Sequence, residues 1–337
     1  MNEEGEVQGT ETFSTSEENL IGGVGEVDAQ TKRVTLEESP PAFWTARAPT
    51  GEVDEVIVRD PRENHFISRS IRKGNGPDAK ALARLLRMGE LKEVYQPEND
   101  RRALYKQACS HYMNLRDRQR VLKQKIKSRL KRWGHFHIPG AKVFSQSGRE
   151  AYLTELSPDR IRSRVESLYD LLDKAHAEKK AARRQFLELG RQYPETQEFQ
   201  KIPGIGPISA HTFDACYRAP RRFATKQKLW RYPKLGVRKH SSGGKQIRRE
   251  KLDPAGHGEL KALSHRAVEE ALSGEDKSGV QASYRASVRR TGNETHARLN
   301  TQRKILATMW GPWKRSAVYN PKLFYNSKRT HKPESSE

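Results

Sequence analysis

The alternation of apolar and polar positions divides the chain into two kinds of pattern. Near the N-terminus the apolar runs are short: Val34-Thr35-Leu36, and Val53 to Val58, where Val56-Ile57-Val58 is framed by charges and stopped by Asp60-Pro61. Short β-branched runs that end in turn residues predict buried strands. Between them residues 41–48 predict a short crossover helix. Residues 78–89 (DAKALARLLRMG) put Ala81, Leu82, Leu85 and Leu86 on one helical face before a glycine stop. The order strand, helix, strand, helix predicts an α/β layer on a mixed sheet.

From residue 100 the period lengthens. Leu104, Ala108, Tyr112, Leu115, Leu122, Ile126, Leu130 and Trp133 recur at three- and four-residue steps, which predicts one helix over 100–134 with a seam for a second. The second is expected to start at Ser157-Pro158 and end near Gly190, with Ile161, Val165, Leu168, Leu172, Ala175, Ala182, Phe186 and Leu189 as its seam. Residues 134–156 read as a Gly/Ser-containing linker, so the two helices pair as an antiparallel hairpin or across a dimer. The other faces of the first helix carry Arg101, Arg102, Lys106, Arg116, Arg120, Lys127 and further cations against one acid beyond its first residue, Asp117. A face of one sign costs self-repulsion unless phosphates sit on it. The seams equally suit a plain structural bundle.

Residues 199–213 (FQKIPGIGPISAHTF) fit a helix-hairpin-helix unit. Gly204 and Gly206 permit a tight turn and close backbone approach, and Pro207 opens a helix whose first N–H groups and positive dipole end suit a phosphate. Lys201 stands beside it. Such a grip carries no sequence information, and the same hairpin also serves as packing alone. Residues 223–235 interleave aromatic and basic residues, and residues 238–249 read as a flexible basic loop with Lys239, Lys245, Arg248 and Arg249. A serine in that cation-rich loop suits a nucleophile, since neighbouring cations stabilise an alkoxide and the phosphate it attacks; a Ser/Gly linker is the plain alternative. Residues 259–272 and 294–313 predict two more helices, with Trp310 and Trp313 read as core.

Charge narrows the choice of partner. The chain of 337 residues has 64 Lys and Arg against 42 Asp and Glu, a formal charge of +22, and only 34% hydrophobic residues, so its cores are lean and a polyanion is the natural partner. Residues 1–31 hold eight carboxylates and no Lys or Arg, which reads as an irregular leader. No run approaches a membrane span and the start lacks signal-peptide features, so a cytoplasmic protein is expected, with no membrane partner. Cys109 and Cys216 lack metal spacing and read as small buried apolar residues.

Taken in order, VTLEESP, VDEVIVRDPREN, GNGPDAKALARLLRMGELKEVY, IPGIGPISA, RKHSSGG and THARLNTQRKILATMWGPWKR resemble the transposases of insertion sequence family 110, over roughly residues 12–325. The resemblance implies an RNase H-like (RuvC-like) domain with a DEDD carboxylate tetrad, a coiled coil, and a C-terminal domain with a nucleophilic serine. It also implies DNA recombination guided by a bridge-type RNA, Mg2+ as cofactor, and an even-numbered homo-oligomer, a dimer or a tetramer. Carried over by position, Glu37 (or Glu38) matches the glutamate of the tetrad, Asp78 one of its two late aspartates, and Ser242 (or Ser241) the serine.

The expected fold is therefore α/β plus α. Residues 1–31 form the leader, 32–99 a partial RuvC-like domain with a mixed sheet, and 100–192 a basic coiled-coil hairpin. Residues 193–325 form a mainly helical transposase domain with the helix-hairpin-helix motif, and 326–337 a tail. Two departures stand out. The strand bearing the family's first aspartate has no counterpart, as in an N-terminally truncated copy, and Asp78 alone serves for two aspartates three residues apart. Half the ligand charge weakens magnesium binding, so impaired catalysis is expected. The alternative is a DNA- or RNA-binding remnant without chemistry; a repair nuclease subunit is disfavoured because no further nuclease motif accompanies the hairpin.

Overall fold

A computed structural model describes residues 1–60, 74–91, 93–97, 99–138, 140–242, 245–274 and 279–325, with backbone alone for 238–242, 245–250, 323 and 325. It divides into two compact units, Met1–Glu98 and Asn99–Glu337.

The first unit opens with helix α1 (Glu17–Gly25), where an irregular leader is expected from composition. Ser16 accepts the Asn19 N–H at 3.2 Å and Glu17 and Glu18 occupy the first turn, so cap and dipole outweigh the glycines. Strands β1 (Arg33–Glu37) and β2 (Glu55–Arg59) flank the short helix α2 (Ala42–Thr45), and helix α3 (Asn75–Arg87) follows. The strands pair in parallel with Val34 opposite Val56 and Leu36 opposite Val58. The predicted strand–helix–strand–helix order holds. The sheet among the described residues is two parallel strands, joined only by an antiparallel bridge from Arg59 to Glu93, and not the mixed sheet expected. Helix α3 starts before Asp78, because proline is tolerated in a first turn, and stops at Gly89, whose φ is +68°.

The second unit is almost wholly helical. Helix α4 (Asp100–Arg132) is capped by Asn99, and after a 3-10 turn (Lys142–Phe144) and helix α5 (Gln146–Thr154) the chain returns antiparallel in helix α6 (Asp159–Gly190). The segment read as a linker is thus partly helical, held by Ser145 as cap and by buried Val143 and Leu156. Along α4 the seam runs through Tyr105, Cys109, Tyr112, Leu115, Leu122, Ile126 and Leu130. Leu104 and Trp133, expected in it, are 52% and 43% exposed. The seam begins one residue later because the Tyr105 hydroxyl reaches His211 Nδ1 at 2.7 Å while its ring stacks on Phe186. Pro158, not Ser157, occupies the cap position of α6.

Helices α7 (Glu195–Gln200) and α8 (Pro207–Tyr217) follow, then a 3-10 turn (Pro220–Arg222) and helix α9 (Lys226–Arg231). The predicted flexible basic loop is instead an antiparallel ladder of β3 (Val237–Ser242) and β4 (Lys245–Leu252), with register shifts around His240. Helices α10 (Gly258–Ser273), α11 (Val280–Thr291), α12 (Glu294–Lys314) and α13 (Lys322–Tyr325) complete the chain. Helix α11 escaped prediction because its sequence, VQASYRASVRRT, buries only Val280 and Ser287. Trp310 is buried, donating to Pro220 O at 2.7 Å, and Trp313 packs on Phe199 and Phe213, as their reading as core requires. Cys109 and Cys216 are both buried and unbridged.

Candidate nucleic-acid interface

The glycine hairpin has one face in the core and one in solvent. Phe199, Ile202 and Ile205 are buried, and Gly204, at φ +76°, lies so close to α10 that a Cβ there would sit 2.1 Å from the Ala267 carbonyl oxygen. Gly206 is exposed with open space around it, and Pro207 begins α8 without a side-chain cap. The first hydrogen bond of that helix runs from the Ala210 N–H to Gly206 O at 3.0 Å. Among the described residues, the N–H groups of Gly206, Ile208 and Ser209 have no hydrogen-bond partner. These donors and the positive helix end are what an anionic oxygen requires. Lys201, close by, is paired with Glu198 at 2.5 Å.

The cations of α4 divide into two sets, which the two acids of that helix, Asp100 and Asp117, do not foretell. Arg102 bridges Glu195 at 2.9 Å and buried Asp214 at 2.7 Å, over the ring of Tyr193. Arg116 grips both oxygens of Glu259 at 2.7 and 2.8 Å, and Arg266 shares that carboxylate. The acids come from α7, α8 and α10, so no reading confined to α4 finds them. Among the described residues Arg120, 66% exposed, has only Asp117 as an acidic partner, at 3.8 Å, and Lys127 lies over Phe144.

Lys106 turns inward as well. Its ammonium meets Cys216 Sγ at 3.2 Å and His257 Nε2 at 3.4 Å. His257 caps α10 by accepting the Leu260 N–H at Nδ1, and its Nε2 stands 3.5 Å from Cys216 Sγ. The Cys109 thiol, then His257 and Lys106, hold the Cys216 pKa well below the usual thiol range against the opposing effect of burial. The cluster ties α4, α8 and α10 inside the core, and its visible signal in the sequence is a histidine just ahead of a helix.

Ser242 closes the last described rung of the β3–β4 ladder, opposite Lys245, with Ser241 opposite Gln246 and His240 opposite Arg248. The side chains of Ser241, Ser242, Lys239, Lys245, Arg248 and Arg249 lie outside the described residues; the backbone brings their positions onto one hairpin.

In the first unit, Glu37 ends β1 and its carboxylate accepts from Arg59, which is 2% exposed. The position matched to a magnesium ligand thus already carries a cation. Asp78 lies in the first turn of α3, and among the described residues no three His, Cys, Asp or Glu side chains form a metal-binding group. Glu37 as placed, with its carboxylate on the Arg59 guanidinium, does not fit a divalent ion.

Residues 196–294 match the family model described as Transposase IS116/IS110/IS902 family, a segment that includes the glycine hairpin, the β3–β4 ladder and α10. No curated protein matches the chain. Among the described residues no helix is long and apolar enough to cross a membrane.

Proposed function

Starting from a transposase domain over residues 196–294, we propose that this chain binds DNA, together with a structured guide RNA, as a transposase or site-specific recombinase of an insertion sequence. The observation that carries the reading is the coincidence of that domain with an exposed, uncapped hairpin-helix start at Gly206 and a basic β-hairpin holding Ser241 and Ser242. In the chemistry this supports, a serine Oγ attacks a backbone phosphorus, a P–O bond to the leaving deoxyribose breaks, and the serine proton goes to solvent as the leaving oxygen is protonated. Rejoining reverses the step on a second strand end. Ser242 is the nucleophile, with Ser241 as the adjacent alternative. The first unit represents part of an RNase H-like domain, and the assembly is an even-numbered oligomer.

The engagement of Glu37 by buried Arg59 favours a second reading, a binding remnant without strand chemistry. One experiment separates the two. The purified chain is incubated with insertion-sequence DNA and RNA, and covalent protein–DNA adducts are resolved under denaturing conditions. The enzymatic reading expects an adduct that Ser242→Ala removes. An adduct that survives both Ser242→Ala and Ser241→Ala eliminates the serine mechanism, and nucleic-acid binding with no wild-type adduct leaves the remnant.

A further inference from the structure

Arg116, Arg120, Lys123 and Lys127 follow the three- and four-residue steps that keep one helix face, a stripe of about 16 Å along α4. Its first member is taken by Glu259 at the start of α10. The others are not neutralised in that way. Among the described residues Lys123 and Lys127 have no acidic partner, and both ammoniums lie over the ring of Phe144, at 4.9 and 5.6 Å from its centroid.

A further cation arrives from the opposite helix. Lys179 of α6 donates to Gln119 Oε1 at 2.6 Å, while Gln119 Nε2 meets His176 Nδ1 at 2.9 Å. Gln119 is buried in the seam, so it fixes the ammonium rather than following it. Burial, and then the charge of Lys123, hold the Lys179 pKa below the ordinary lysine range. Arg116, Gln119, Arg120, Lys123, Lys127 and Phe144, with Gln124, line an open pocket of about 360 Å³. Holding like charges together across a seam costs energy in the free protein, and an anion seated among them removes the cost.

We propose that this pocket is a subsite for an unpaired sugar-phosphate strand, its phosphates met by Arg120, Lys123 and Lys127 of the lining and by Lys179, bonded to Gln119 beside it, and its bases facing the Gln124 amide and Phe144. The proposal rests on the nucleic-acid reading above and gives it a location on the coil. An unpaired strand is preferred to a duplex because a duplex keeps its bases stacked and paired, leaving an aromatic ring and an amide nothing to meet. Single-stranded DNA and single-stranded RNA share the required chemistry.

The test uses the full chain and fluorescence anisotropy over a salt series, with labelled homopyrimidine DNA, homopyrimidine RNA and duplex DNA. The variants are Lys123→Gln with Lys179→Gln, Phe144→Leu, and a charge-matched control, Arg183→Gln with Arg184→Gln, on exposed α6 positions. The double lysine variant is expected to lose about 10-fold in single-strand affinity and about 1.4 in the slope of log affinity against log salt, two contacts at ~0.7 each. Phe144→Leu is expected to lose about 5-fold for single strands with duplex binding unchanged, thermal melts confirming that the coil is folded. Loss confined to RNA or to DNA identifies the source of the strand and supports the subsite. Equal losses in the lysine variant and the control, for every probe, overturn the subsite and leave the nucleic-acid reading standing. Absence of binding to any probe by the wild type removes both.

Discussion

Gly204 is placed where no other residue fits. At φ +76°, with a Cβ position 2.1 Å from the Ala267 carbonyl oxygen, it sets backbone against backbone, so neither side yields cheaply. Gly204→Ala is expected to cost about 2–4 kcal/mol in urea unfolding, left-handed strain adding to overpacking. Gly206→Ala, at φ −81° in open space, is expected to stay below about 1 kcal/mol in the same assay. Glu259 supplies a pH-dependent term. Burial pushes its carboxyl up, but Arg116 and Arg266 outweigh burial and hold it below the ordinary glutamate range. With the native pKa depressed, the unfolded chain takes the proton first. The stabilisation is therefore complete above the unfolded value of about 4.3 and is lost as pH falls through the lower native value. Glu259→Gln is expected to lose about 1–3 kcal/mol near pH 7, and melts should show the gap to wild type narrowing as pH drops below about 4.5.

The α4–α6 hairpin makes its own prediction, because periodicity and packing disagree at its ends. Ile126 is fully buried, and Ile126→Ala should cost about 2–5 kcal/mol, whereas Leu104→Ala, at an exposed position, should stay within about 0.5 kcal/mol. Equal costs would mean that the seam runs as periodicity alone places it. Long apolar periods made both helices readable in the sequence, and the two β-branched runs made β1 and β2 readable. What was not legible depended on partners distant along the chain. The choice of Tyr105 over Leu104 needs His211, and the spending of Arg102 and Arg116 needs Asp214 and Glu259. The β3–β4 ladder hid behind its charge, although Gly243-Gly244 between two runs that carry Val237 and Ile247 is a hairpin signal. Of the candidate site, the glycine turn was legible because each glycine has a local backbone reason. The mid-coil pocket was not, since it combines α4 and the turn at Phe144, with a lysine from α6 bonded to Gln119 of its lining.

An excess of 22 positive charges does not by itself define a surface. Inside the second unit the fold withdraws Lys106, Arg102 and Arg116 into contacts with Cys216, Asp214 and Glu259, and leaves Arg120, Lys123, Lys127 and the uncapped start of α8 available. That selective neutralisation is the physical basis for reading the molecule as a holder of sugar-phosphate, whichever chemistry follows. It makes attraction to phosphate the main source of affinity, with release of counterions as its signature. The direct measurement is the affinity of the intact chain for DNA and for structured RNA as salt is raised from about 50 to about 200 mM. Four phosphate contacts predict a fall of at least about 100-fold. A fall of less than about 3-fold, the mark of one contact or none, would contradict the account.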